Sequence, residues 1–257
     1  MKAMILAAGL GTRLRPLTDN RPKALVEICG RTLLDIALAR LHSFGIRDVV
    51  INVHHFSEQV VDYLRRHDDF GMHIEISREN VLLDTGGGLK QAAHFFLDDQ
   101  GGEEPFILHN VDVLSNIDLA RMVQYHNENQ ALATLAVQNR ETARYLYFDD
   151  RLELCGRRPG RDQAPVWVRP VPSPQPLAFS GIHVISPRLL RMMTEEGTFP
   201  IVGCYLRLAA RGERILAFRA DEYYWRDLGT PANVHDAEDD LGRGLLDLPA
   251  TDCDSRR

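Results

Sequence analysis

Lysine is nearly missing from this 257-residue chain: of 30 basic residues only three are lysines, Lys2, Lys23 and Lys90, leaving 27 arginines. A biased base composition accounts for most of that imbalance, but it draws attention to any lysine inside a chemical motif. Cysteine is scarce too. Cys29, Cys155, Cys204 and Cys253 are never closer than 49 residues, so no CxxC pair points to zinc or thioredoxin-like chemistry. Scattered thiols fit a reducing cytoplasm, the expected location. No apolar run nears the roughly 18 residues of a membrane span. The apolar start, Met1 to Leu10, is followed by Arg13 and Arg15 where a leader needs small residues. There is no HExxH pair, and Ser180 lacks a G-x-S-x-G context, which argues against zinc and serine hydrolases. A net charge of -6 argues against general binding to nucleic acid or anionic membrane. What is present is ordinary: 44% hydrophobic and 26% charged residues, enough for a substantial core.

Apolar strands alternate with helical patterns through the first half. Strands are expected at 3–8, 49–53, 74–76, 106–109 and 131–137, and helices at 32–44, 58–66, 88–96 and 119–126. Gly45 is placed to end the first helix. This order predicts an α/β fold, a Rossmann-like, mostly parallel sheet with helices on both faces. Residues 156–176 hold six of the 13 prolines and read as a flap, after which strands at 177–185 and 215–218 flank two more helices. The expected organisation is one domain over 1–241, with halves 1–135 and 136–241, and a loose tail over 242–257.

The strongest motif is Leu6-Ala7-Ala8-Gly9-Leu10-Gly11-Thr12-Arg13-Leu14-Arg15-Pro16-Leu17-Thr18, continuing to Arg21-Pro22-Lys23. A strand running into small residues exposes backbone N–H groups that can approach phosphates. It is neither a Walker loop nor GxGxxG, because position 14 is leucine. Five basic residues and one acid, Asp19, occupy the first 23 positions of an acidic chain, a pattern suited to a small polyanion. A solvated arginine loop is the plain alternative.

The full string resembles the signature of the sugar-1-phosphate nucleotidyltransferases, which join a nucleoside triphosphate to a sugar 1-phosphate and release pyrophosphate. The resemblance covers about residues 1–240 and is to the short members, such as N-acetylmuramate 1-phosphate uridylyltransferases and heptose or mannose 1-phosphate guanylyltransferases. It implies a GT-A-like architecture and synthesis of a cell-wall or surface-glycan precursor from UTP or GTP. Ala7, Ala8, Gly9, Gly11, Thr12 and Arg13 would hold the nucleotide, and Lys23 would sit between the reacting phosphates. Thr85, Gly86 and Gly87, before a helix, would line the base; Asn110, Ser180 and Gly181 would face the sugar phosphate. Asp112, just past a strand, and Asp227, in Trp225-Arg226-Asp227-Leu228-Gly229-Thr230-Pro231, would bind Mg²⁺.

Two features depart from the family pattern, and a third, Arg226, motivates a reading without catalysis. Val111 stands where glycine is usual, which would alter the turn if positive φ were required. Arg226 lies beside the second acid, and no Glu-Lys-Pro segment is present, so Arg157 or Arg158 is the candidate substitute. Asp239 and Asp240 read as solvated helix residues. Two other classes remain: a degenerate nucleotide-sensing protein, and a GT-A-like glycosyltransferase, disfavoured because Asp112 is followed by Val113 and Leu114 rather than Asp-x-Asp.

Overall fold

The computed structural model describes residues 1–97 and 103–249. In chain order the strands are β1 (Lys2–Leu6), β2 (Glu27–Ile28), β3 (Arg31–Thr32), β4 (Asp48–Val53), β5 (His73–Arg78), β6 (Phe106–Asn110) and β7 (Val113–Ser115). They continue as β8 (Ala133–Gln138), β9 (Tyr145–Phe148), β10 (Leu154–Arg158), β11 (Val166–Trp167), β12 (Gln175–Ile185), β13 (Ile215–Arg219) and β14 (Trp225–Asp227). The helices are α1 (Leu33–Ser43), α2 (Ser57–Arg66), α3 (Asp84–Gln91), α4 (Leu119–Glu128), α5 (Arg188–Arg191), α6 (Ile201–Ala210) and α7 (Pro231–Gly242).

The first half forms a parallel sheet in the order β6-β1-β4-β5, with β5 at the edge. Alternation along β1 sends Ala3 and Ile5 to one face and Met4 to the other, and all three are fully buried. Such two-sided burial is why this strand reads as a continuous apolar run. One face packs on α1 and α2 through Leu38 and Leu64, the other on α3 and α6 through Leu89 and Leu208. Thr32 caps α1 by accepting from Asp35 N, and Gly45 follows it at φ +76, as the sequence indicates.

The second half is antiparallel at its seam. β12 runs against β6 and β8 and, at its start, against β9, which continues through β10 to β11. Pro176 lies inside β12, opposite Tyr147, two positions before β8 begins to pair, so its missing N–H faces no partner strand there. The proline-rich stretch is therefore an outward extension of the sheet through β10 and β11 plus loops. The tail also differs from expectation. Leu246 is buried, Leu248 packs on the core, and Arg31 Nη1 donates to Pro249 O at 2.6 Å, so 243–249 lies against the body. Residues 250–257 of the expected tail, with Cys253, lie outside the described residues. No helix among the described residues is long and apolar enough to cross a membrane.

Three histidines are sealed in this core. Burial lowers His109 and His126 to about 4 and His183 to about 3 from the ordinary 6.5. Each stays neutral when folded but binds a proton once unfolded below pH 6.5, so stability is full above that pH and drains as pH falls toward 4. Three protons taken up on unfolding correspond to roughly 4 kcal/mol lost per pH unit in that window. Urea melts from pH 7 to pH 4 should show that slope, and His126→Gln should make it shallower by about a third. A flat profile would contradict the neutral, buried assignment.

Candidate active site

The carboxyl ends of β1, β4 and β5 are tied by a buried polar chain that periodicity does not reveal. Ala7 N donates to Asn52 Oδ1 and Asn52 Nδ2 donates to Glu79 Oε1, each at 2.7 Å; Leu83 N donates to Glu79 Oε2 at 2.9 Å. Asn52 and Glu79 are both buried. A polar residue inside the apolar run 49–53 was the available signal. The chain fixes the start of the glycine loop, and it spends the Ala7 N–H. Ala7 and Ala8 are themselves buried, forming the floor beneath the loop.

From Gly9 the loop opens to solvent. Among the described residues, no protein acceptor meets the N–H groups of Gly9, Leu10 or Gly11, leaving them available to an anion. Gly11 has φ +64, and a Cβ there would lie 2.9 Å from Thr18 Cγ2 and 3.2 Å from Lys23 Cβ. Thr18 Oγ1 closes the turn on Gly11 O at 2.8 Å. The spacing from Gly11 to Lys23 thus folds the loop back on itself. Thr12 to Leu14 forms one 3₁₀ turn that buries Leu14 and leaves Thr12 and Arg13 exposed.

Lys23 donates to Asp112 Oδ2, and both side chains are largely buried. Asp112 lies in the two-residue turn between β6 and β7; Asp227 ends β14, which pairs with β7 so that Asp227 stands opposite Val113. Leu228 N donates to Asp112 O at 2.8 Å, closing the ribbon that brings the two acids together. Burial, and then the charge of Asp112, push the Asp227 carboxyl above its usual range; the Gly229 N–H, Arg13 and Lys23 oppose them. Arg13 Nη2 lies 3.9 Å from Asp227 Oδ2. A Cβ on Gly229 would lie 2.6 Å from both Arg13 Nη2 and Asp227 Oδ1, so this glycine admits the guanidinium. Arg15 and Arg21 instead pair locally with Asp19 and Glu27. The other two lysines are structural: Lys2 donates to Phe95 O and Lys90 to Glu195 O. Lys23 is the lysine of the site.

No cluster of three His, Cys, Asp or Glu side chains exists among the described residues. The Asp112–Asp227 pair fits a hard divalent cation that keeps water and phosphate oxygens for the rest of its shell. Burial and then the charge of Asp112 hold Asp227 up, and a divalent cation bound there would favour its ionised form.

Several expectations need correction. Val111 is not at positive φ; it is buried, with its N–H on Leu6 O, so the turn needs no glycine. Arg226 points away from the acids, to Asp240 at 2.6 Å, Asp236 at 3.1 Å and the Tyr224 hydroxyl. Asp240 is buried in that network rather than solvated. The three glycines lie inside α3, not before a helix, and the protein itself crowds them. A Cβ would meet the Phe199 ring at 2.4 Å from Gly86, Gly197 O at 2.5 Å from Gly87 and Glu79 Oε1 at 2.6 Å from Gly88. Gly86 N and Gly87 N both donate to Phe199 O, and Thr85 Oγ1 accepts from Ile201 N at the start of α6. Ser180 is fully buried and its carbonyl accepts from Trp225 Nε1 at 2.7 Å, so its hydroxyl is turned into the protein rather than toward a sugar phosphate. Gly181, at φ +75, makes room for Asn110 Nδ2, which would lie 2.9 Å from a Cβ there. Arg157 and Arg158 sit on β10 with no carboxylate partner among the described residues, and Arg158 lies over the Tyr145 ring.

The nucleotidyl transferase family profile matches residues 2–149. The N-acetylmuramate alpha-1-phosphate uridylyltransferase of Caulobacter vibrioides is 34% identical over 238 residues, 89% of this chain and 92% of that protein. The mannose-1-phosphate guanyltransferase of Yarrowia lipolytica is 30% identical over 240 residues, 90% of this chain but 61% of that longer protein. In structure, a putative glucose-1-phosphate thymidylyltransferase from Bacillus anthracis superposes with TM-score 0.76 at 19% identity, over 96% of this chain and 97% of that one. By this profile and these relatives, the chain belongs to the nucleotidyl transferase family.

Proposed function

We propose that the protein transfers a nucleotidyl group from UTP, with GTP the second choice, to a sugar 1-phosphate, for a cell-wall or surface-glycan precursor made in the cytoplasm. The convergence of Lys23, Arg13, Asp112 and Asp227 beyond the carboxyl ends of β1 and β6 carries this reading. UTP is put first because the uridylyltransferase relative is matched over nearly its whole length.

The acceptor phosphate is already ionised, so no strong base is needed. Its oxygen attacks the α-phosphorus, a new O–P bond forms, and the bond to the β-phosphate oxygen breaks with release of pyrophosphate. Catalysis is then positioning and neutralisation of charge. The open N–H groups of Gly9 to Gly11 receive phosphate oxygens, and Arg13 clamps the departing β,γ-phosphates bidentately. Lys23 exchanges Asp112 for the phosphates at the reacting centre, where a compact ammonium fits better than a guanidinium fork. Asp112 and Asp227 would hold Mg²⁺, which when bound neutralises charge on the reacting phosphates. Asn110 and Gly181 form the acceptor side, and the start of α3 and the segment before it form the base side.

A matrix of four NTPs against a panel of sugar 1-phosphates, with Mg²⁺ or with EDTA, tests the reading. Pyrophosphate should appear with UTP or GTP and at least one acceptor, at turnover of about 1–100 per second, and stop in EDTA. No release from any pair would overturn it.

A further inference from the structure

A guanidinium that carries no motif feels the charge of Asp227. Arg140 follows β8, and its guanidinium carbon lies 3.6 Å from the centroid of the Trp225 ring. Arg140 Nη2 donates to Phe179 O at 2.8 Å, and Trp225 Nε1 donates to Ser180 O at 2.7 Å, so both members of the stack are anchored to the same stretch of β12. Trp225 and Asp227 are two residues apart on β14 and share a face. Burial lowers Arg140 from the ordinary guanidinium value, and Asp227 is the first charge that opposes this. Yet Arg140 makes no ion pair among the described residues, and its Nε is buried without a partner. Burying a cation unpaired costs free energy, whereas stacking plus one carbonyl bond leaves its remaining N–H edge free to fork onto an anion.

We propose that Arg140, held flat against Trp225, binds the phosphate of the sugar 1-phosphate. This rests on the nucleotidyl-transfer reading and assigns its acceptor side: Arg13, 3.9 Å from Asp227, serves the departing phosphates, and Arg140, over the Trp225 ring two residues before Asp227, the incoming one. The arginine is specific to the role, because a lysine keeps the charge but loses the planar fork and most of the stacking.

Steady-state kinetics of Arg140→Met and Arg140→Lys, varying each substrate in turn, supply the first readout. Arg140→Met should raise KM for the sugar 1-phosphate roughly tenfold or more and leave KM for the NTP within about twofold, with Arg140→Lys between. A merely structural arginine would instead move both KM values together or neither, which would overturn the proposal. The second readout does not require turnover. The chain has two tryptophans, so Trp167→Phe leaves Trp225 as sole reporter. Its fluorescence, titrated with inorganic phosphate and with sugar 1-phosphate, should change saturably, and Arg140→Lys should weaken both responses. A response unchanged by that substitution overturns the proposal even in an active enzyme. A saturable, Arg140-dependent response in a protein inactive with every pair would sustain the anion site while the nucleotidyl-transfer reading falls.

Discussion

Asp112→Asn should lower kcat by about a thousandfold or more while the protein still folds. Two effects on stability oppose one another in this variant. Lys23 loses the charge of its buried partner, which destabilises. Asp227 loses its repelling neighbour, which stabilises, since Asp112 is the main charge pushing its carboxyl up. The two partly cancel, whereas the catalytic loss corresponds to about 4 kcal/mol at the transition state with nothing to offset it. The raised Asp227 also fixes a sign. An acid raised on folding contributes stability while protonated, and that contribution is lost as pH rises through its folded value. At neutral pH the ionised Asp227 is thus a destabilising element, and a divalent cation should relieve it. Mg²⁺ should raise the Tm of the wild type and leave that of Asp112→Asn nearly unmoved, a readout independent of turnover. Near-normal kcat, or an equal Mg²⁺ response in both proteins, would contradict the assignment.

Gly87→Ala should destabilise the fold by about 2 kcal/mol, lowering Tm by about 6 °C, although alanine is the better helix former. The added Cβ would stand 2.5 Å from Gly197 O and 3.0 Å from Leu83 Cβ, and the first of these is backbone that cannot swing aside. The helix must shift away from 197–199, and the Gly86 and Gly87 bonds to Phe199 O stretch with it. Since α3 also abuts Asn52 and Glu79 through Gly88, the disturbance reaches the base of the phosphate loop. Differential scanning calorimetry and the KM for NTP separate the two accounts of this glycine. A lowered Tm fits packing by the protein itself. An unchanged Tm with a much weaker KM would mean that a ligand meets Gly87.

Those glycines also show where sequence reading loses its grip. Their poor helix propensity argues for a turn before a helix, but tertiary packing overrides propensity when close approach requires residues without Cβ. The strand–loop–strand frame was legible because buried parallel strands are continuous apolar runs, and α1 because its apolar residues recur at helical spacing and Gly45 follows them. The acids were legible through their motifs, and so was Lys23. Arg140 was not: it carries no motif, and its role depends on Trp225 arriving from 85 positions later through the β14–β7 ribbon. Arg226 and Asp240 were misread for a related reason. Alternation places Arg226 opposite to Asp227, but only the position of α7 shows that a buried carboxylate waits there.

In the proposed reaction one step links the new bond at the α-phosphorus to loss of pyrophosphate, under control of the Lys23–Asp112–Asp227 centre. Phosphorus-31 NMR of the protein with UTP, a sugar 1-phosphate and Mg²⁺ tests it most directly. NDP-sugar and pyrophosphate should appear in equal amounts as both substrates disappear, and neither should form with Asp112→Asn over the same period. Nucleotide hydrolysis without sugar coupling, or no change in any resonance of the wild type with either UTP or GTP, would contradict this mechanism.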